Sequence, residues 1–417
     1  MKEHRKRAAC LAALLALSLA LAATAAAQTL FVSPTGSDAS GNGSPSAPYQ
    51  TVARALAAAP AGATVTLEPG VYEASVSITK QVTLTSDASK PGAVAATVID
   101  AHGQLNGIVV AGPATGGSVV AGLTVKNALK AGILVVQTAK VTVRDNVVTA
   151  NDQSCAGYRG CFNPSASLPV PQGTFTYTND VPCGNPDFQK HPGQDCEALH
   201  LVSVTDSLVL GNTVQDNLDG GIYLTDEAGP NSGNLVEGNL VKGNLTDCGI
   251  TLASHNPMAV KDATAGGVFH NTVRHNGAIG NGGAGILMAG PMPGAASYEN
   301  TVTANMVEGN GMPGIVVHAH TPGQNMNGNV ITDNFVSGNG AGIGDPDAGL
   351  TPEQTAGIDV FSAAGPLTGT RVEGNAVADE RFGVWLGSLV QQPAISGNLA
   401  VDGRVGALVH VAPPRAD

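Results

Sequence analysis

Two short phrases alternate from Asn212 to Trp385, and their spacing constrains the fold more than anything else in the chain. One reads Asn-x-Val-x-x-Asn, at Asn212–Asn217, Asn239–Asn244, Asn271–Asn276, Asn305–Asn310 and Asn334–Asn339. The other reads Gly-Ile, beginning at Gly221, Gly249, Gly285, Gly314 and Gly357 and closing with Gly383-Val384. Subtraction gives Gly-Ile steps of 28, 36, 29, 43 and 26 residues. Recurrence at roughly 20–50 residues is the mark of stacked-repeat architectures.

Each Asn phrase reads as a short strand ending in a residue that tolerates left-handed backbone. Each Gly-Ile phrase reads as another strand, entered through a glycine turn. One such coil cannot bury its own Val, Ile and Leu. Stacked coils can, with strands about 4.8 Å apart and inward side chains forming aliphatic columns. Inward Asn side chains can then bond from coil to coil. Helix competes poorly, because Asn, Gly and β-branched residues are weak helix formers and the glycines break any 3.6-residue periodicity.

These phrases resemble the repeats of right-handed parallel β-helix proteins, the pectate-lyase-like superfamily. Within it the chain is most similar to the carbohydrate-binding and sugar-hydrolase type repeats, also found in periplasmic copper accessory proteins of nitrous oxide reductase. The resemblance spans about residues 29–411. It implies an all-β, single-stranded right-handed solenoid with a short N-terminal helical cap. Composition agrees: of 417 residues 54 are Gly, 12% are charged and 4% are aromatic, enough for a core of small aliphatics. Val52 to Ala59 reads as the cap helix, covering the open edge of the first coil.

Residues 1–27 read as a signal peptide: Lys2, Arg5, Lys6 and Arg7, an Ala/Leu run, then Ala25-Ala26-Ala27 before Gln28. The alternative is an uncleaved anchor. Cleavage implies a secreted or periplasmic protein with no stable membrane span. It removes 4 of 20 basic and 1 of 32 acidic residues, leaving 16 against 31, a net of −15. That balance argues against nucleic acid and other anionic polymers as partners, unless a local basic groove or a bound cation intervenes.

The solenoid is expected over 28–411, with a tail at 412–417. Two insertions interrupt it, at 152–196 and 340–356. Both leave after an Asn phrase and before a Gly-Ile strand, so they overhang one face. The first holds Cys155, Cys161, Cys183 and Cys196, which read as two disulfides. Pairing 155–161 with 183–196 is the simplest choice; a Cys₄ zinc site is the alternative. Cys248 remains as a buried thiol.

If the Ile of each Gly-Ile strand points inward, the next residue points outward. That row is His200, Tyr223, Thr251, Leu287, Val316, Asp359 and Trp385. His200 and Tyr223 fall on successive coils, about 5 Å apart. Such a pair can abstract a proton alpha to a carboxylate and protonate a leaving oxygen, as a lyase or epimerase requires. The plainer reading is two polar residues on a wet sheet. Asp219 and Asp247 form an adjacent pair, with Asp226 and Glu227 placed nearby. Carboxylates so grouped suit Ca²⁺ or glycoside hydrolysis, or serve turns. Asp345-Pro-Asp347 is a weaker calcium candidate. His318 and His320 share one face and can grip a transition metal, with His255 two coils back. Trp385 suits sugar stacking or covers the end of the stack.

No Asp-Pro-His-Asp stretch, Gly-His-Gly phrase or paired Arg-x-Pro occurs, so no enzyme family's catalytic residues carry over. The reading is an exported protein that binds a polysaccharide or cell-envelope glycan and cleaves or epimerises it by proton abstraction. His200 and Tyr223 are its catalytic candidates. Asp219, Asp226, Glu227, Thr251, His255, Asp359 and Trp385 are its substrate-binding candidates. The alternatives are a non-catalytic sugar-binding or surface protein, and a periplasmic metal-handling accessory protein.

Overall fold

The computed structural model describes residues 28–153, 197–340, 352–363 and 365–400, together with the strand at 409–411. The signal segment, the four clustered cysteines, Asp345, Asp347 and the tail lie outside the described residues. Short strands stack into three long sheets of 12, 11 and 11 strands. Successive coils pair in parallel with side chains in register, as in Ile133↔Leu199, Leu199↔Ile222 and Ile222↔Ile250. The result is a right-handed parallel β-helix. Across residues 154–196, which lie outside the described residues, the register is kept: Leu134 pairs with His200.

Inward positions form unbroken aliphatic columns. One runs Val120, Val143, Val209, Val236, Val273, Val302, Ile331 and Val372, each no more than 1% exposed. Each such side chain contributes about 1.5–3 kcal/mol of burial. The expected helix forms over Val52–Ala58 and packs Val52, Ala55 and Leu56 inward against the first strands.

The asparagines form the expected ladders. In the longest, Asn146, Asn212, Asn239, Asn276, Asn305, Asn334, Asn375 and Asn398 are linked in turn. A second runs from Asn151 through Asn217, Asn244, Asn281, Asn310 and Asn339 to Glu380. These bonds satisfy buried amides that the solenoid's corners would otherwise strand.

Two local expectations change. The left-handed residue is the one before each ladder asparagine, as at Asp145, Asp216, His275 and Asp333, whose φ lies between 54° and 57°. It makes the corner and turns the asparagine inward. The glycine of each Gly-Ile phrase is not a left-handed turn but a close approach. A Cβ at Gly249 would stand 2.7 Å from Asn281 Nδ2 and 2.7 Å from the Gly285 carbonyl oxygen.

Candidate functional site

The Gly-Ile strands form the 11-stranded sheet that carries the candidate residues. His200, Tyr223 and Thr251 occupy one row on three successive strands, Leu199–Val202, Ile222–Thr225 and Ile250–Ala253. This row is buried, unlike a wet sheet face: His200 is 0%, Tyr223 5% and Thr251 4% exposed. Buried polar groups need partners, and here they largely supply one another.

The Tyr223 hydroxyl lies 3.3 Å from His255 Nε2. His255 Nδ1 lies 3.1 Å from a Glu227 carboxylate oxygen. The Thr225 hydroxyl donates to the other Glu227 oxygen and lies 2.9 Å from His200 Nε2. The His200 and Tyr223 rings are 5.2 Å apart, centre to centre. One carboxylate thus ties two imidazoles and a phenol into a single network. An ionised Glu227 only accepts, so His255 carries its proton on Nδ1 and offers its Nε2 lone pair to the tyrosine. Since Thr225 donates to Glu227, it accepts from His200 Nε2–H. Burial pushes Glu227 upward, but the hydrogen bonds from His255 and Thr225 and the nearness of the two imidazoles prevail and hold it below its usual range.

Asp226 is a clamp behind this network, not an open substrate contact. Its carboxyl accepts from the Ser254 hydroxyl at 2.8 Å, the His255 amide at 2.6 Å and the Gly267 amide at 2.5 Å. Burial still pushes it up to about 7. The clamp fixes the backbone at His255, and so the direction of its ring.

The other candidates lie apart. Asp219 and Asp247 stand at the strand entrance, while Asp226 and Glu227 lie past its other end. The four-residue strand between them spans about 13 Å, so the expected four-carboxylate grouping does not form. Asp219 accepts from the Thr246 hydroxyl of the next coil at 2.7 Å, and Asp247 from the adjacent Cys248 amide at 2.6 Å, a local turn contact. Burial, then the Asp219 charge, raises the Asp152 carboxyl well above its usual range. Asp359 lies three strands beyond Thr251, about 14 Å along the stack. Burial, then Glu353, pushes its pKa well up. Trp385 is 7% exposed and packs edge-on against Phe382 at 4.9 Å, which covers its ring.

His318 and His320 do come together, with their Nε2 atoms 2.8 Å apart. His255 is not with them, because it is held by Tyr223 and Glu227. Among the described residues no three His, Cys, Asp or Glu side chains gather as a metal site, and no helix is long and apolar enough to cross a membrane. Thr225, the bridge between His200 and Glu227, was not among the sequence candidates.

Residues 190–349, under half of the chain, match the family model described as periplasmic copper-binding protein (NosD). None of the curated proteins matches the sequence. Among solved structures, the Azotobacter vinelandii mannuronan C-5 epimerase AlgE4 A-module is similar at 15% identity and TM-score 0.51, over 87% of this chain and 91% of that one. The Dettilon tailspike protein (gp208) is similar at 13% identity and TM-score 0.51, over 92% of this chain and 69% of that one. At such identities the likeness is one of fold. Taken with the stacked parallel sheets, it identifies this chain as a right-handed parallel β-helix protein.

Proposed function

We propose that the protein is exported and acts on an acidic polysaccharide, removing a proton alpha to a uronate carboxylate with Tyr223 as the base. The carrying observation is the Tyr223–His255–Glu227 chain of hydrogen bonds. Glu227 holds the Nδ1 proton of His255, and His255 Nε2 takes the phenolic proton. The tyrosinate then withdraws the carbon-bound proton, and delivery of a proton to the opposite face gives epimerisation. Loss of the 4-linked oxygen, which takes its proton from Tyr223, instead gives β-elimination. Burial makes each of these contacts stronger than it is in water. The solved epimerase with the same fold acts on mannuronan by its name, which fits this substrate class.

The test incubates the protein with a panel of uronate polysaccharides in D₂O and reads deuterium at C5 by NMR and unsaturated ends by absorbance. Exchange or elimination is expected on at least one polymer, reduced by about 10²–10⁴ in Tyr223→Phe. A Tyr223→Phe variant as active as the parent would overturn the assignment, as would a panel showing no exchange.

A second reading, handling of a transition metal, is favoured by the His318/His320 pair. Both residues fall within the segment that matches the family described as copper-binding.

A further inference from the structure

Glu227 lies in the turn that follows the strand Ile222–Thr225, closed by the Gly229 amide on Asp226 O at 3.2 Å. A turn residue can swing unless its neighbours are held. Here both neighbours are held, from opposite sides. Asp226 fastens the turn toward the following coil, through the Ser254 hydroxyl and the amides of His255 and Gly267. Ala228 fastens it toward the preceding coils. Its N–H donates to the Ser203 hydroxyl at 2.9 Å, and its carbonyl accepts from Gln137 Nε2 at 3.3 Å.

Gln137 and Ser203 occupy the same corner on two successive coils, each directly after the in-register pair Val136↔Val202. Both have left-handed backbone, with φ of 47° and 54°. Their main-chain amides stay in the ladder: Gln137 N–H bonds Val202 O at 2.9 Å, and Ser203 N–H bonds Thr225 O at 2.8 Å. The stack therefore fixes the corner, and the side chains reach forward to the turn. Ser203 stands one rung and Gln137 two rungs before it, about 5 and 10 Å along the stack. Ser203 is buried, so water does not compete for the Ala228 amide.

The Ala228 N–H belongs to the planar peptide unit that Glu227 begins. Holding it fixes the base from which the Glu227 side chain departs. That side chain is itself buried, and its two oxygens must meet His255 Nδ1, at 3.1 Å, and the Thr225 hydroxyl. A shift of about 1 Å carries the His255 contact beyond hydrogen-bonding range.

We infer that Ser203 and Gln137 are positioning residues for Glu227: they aim its carboxylate, and through it set the tautomer of His255 and the readiness of Tyr223 to lose its proton. The kinetic consequence rests on the proton-abstraction reading. The tautomer consequence holds without it.

The test uses two variants. Ser203→Gly removes the acceptor and suits the left-handed backbone. Gln137→Glu keeps the shape and sets a carboxylate oxygen against the Ala228 carbonyl. In each, kcat for deuterium exchange should fall about 10²-fold, the effect of roughly 1 Å of misplacement, with KM within about twofold of the parent. Nitrogen-15 resonances of the His255 ring, assigned by their loss in His255→Gln, should place the proton on Nδ1 in the parent and show both tautomers in the variants. Protonating the new carboxyl in Gln137→Glu restores a donor, so its turnover relative to the parent should recover as pH falls toward about 4.3. Variants that keep the parent's kcat and its single His255 tautomer overturn the positioning role and leave the proton-abstraction reading standing. A parent that shows no exchange on any polymer overturns that reading instead, and the tautomer then decides: unchanged in both variants, it overturns the positioning role as well. A Gln137→Glu loss that does not recover at low pH overturns the part assigned to Gln137.

Discussion

Replacing Asn276 with alanine tests whether the ladders hold the coils together. Asn276 is 2% exposed. Its side-chain oxygen accepts from the Asn239 amide at 2.9 Å and from Asn239 Nδ2 at 2.9 Å. Its own Nδ2 donates to Val236 O, Arg274 O and Asn305 Oδ1, each at 3.0 Å. In Asn276→Ala the Asn239 side chain keeps Val209 O, at 2.9 Å, and Glu237 O, at 3.2 Å. The Asn239 backbone N–H loses its partner in a buried place, which costs about 1–3 kcal/mol. The lost side-chain bonds add about 0.5–1.5 kcal/mol each. A destabilisation of about 3–5 kcal/mol follows. Asn398→Ala should cost less, since Asn398 is 8% exposed, donates back to Val372 O, and is the last described rung of the ladder, where water can replace it. Urea unfolding measures the total, and hydrogen exchange of the Asn239 amide reads the local effect. In a solenoid the loss should stay within neighbouring coils. An Asn276→Ala protein within about 1 kcal/mol of the parent, with the Asn239 amide still slow to exchange, would refute the reasoning.

Glu380 closes the second ladder, accepting from the Asn339 amide at 2.9 Å and its Nδ2 at 2.8 Å. Burial raises its pKa from 4.5 to about 7. Between those values the folded protein holds a proton that the unfolded chain has released, so stability falls as pH rises through that window. Glu380→Gln should remove up to about 3 kcal/mol of this slope, stabilising the protein above pH 7 and leaving it unchanged near pH 4.5; parallel stability–pH curves for the two proteins would contradict this. Gly249→Ala drives a methyl onto Asn281 Nδ2 and the Gly285 carbonyl and should cost about 1–3 kcal/mol in denaturant titration; an unchanged midpoint would show that the approach is not tight. Glu227→Gln keeps the shape but removes the charge that fixes the His255 tautomer. Polysaccharide turnover should drop about 10²-fold or more at unchanged melting temperature, and full turnover would remove Glu227 from the relay.

The solenoid was legible because its two phrases recur on a short period and their Val, Ile and Asn positions are unambiguous. Much of the site was legible in the same way. The strands at Ile222 and Ile250 are 28 residues apart, and so are Glu227 and His255. The two therefore hold equal positions on neighbouring coils, and that subtraction alone predicts their contact. It was obscured by grouping Asp226 and Glu227 with Asp219, although a whole strand separates them. Asp226 was harder to read. One of its donors, the Gly267 amide, is 41 residues away beyond an irregular loop, where no period applies. The burial of the outward row was equally hidden, because alternation says which way a side chain points and not what lies above it.

The asparagine columns have a direction. In every rung of the longest one, the backbone N–H and one side-chain N–H point toward the carboxyl-terminal neighbour, from Asn146 and Asn212 through to Asn375 and Asn398, while Nδ2 also donates back to a carbonyl of the preceding coil, as from Asn146 to Val120 O and from Asn276 to Val236 O. The amino-terminal end is met by a main-chain donor, the Leu123 amide on Asn146 Oδ1. The two ends are therefore chemically unlike, and toward the rung before it a terminal side chain at the carboxyl end has only to supply an oxygen. A carboxylic acid meets that requirement as well as an amide does, which accounts for Glu380 closing a column that asparagine builds everywhere else. Coils added by duplication would extend the stack in one sense only, and a segment inserted back to front would set donor against donor.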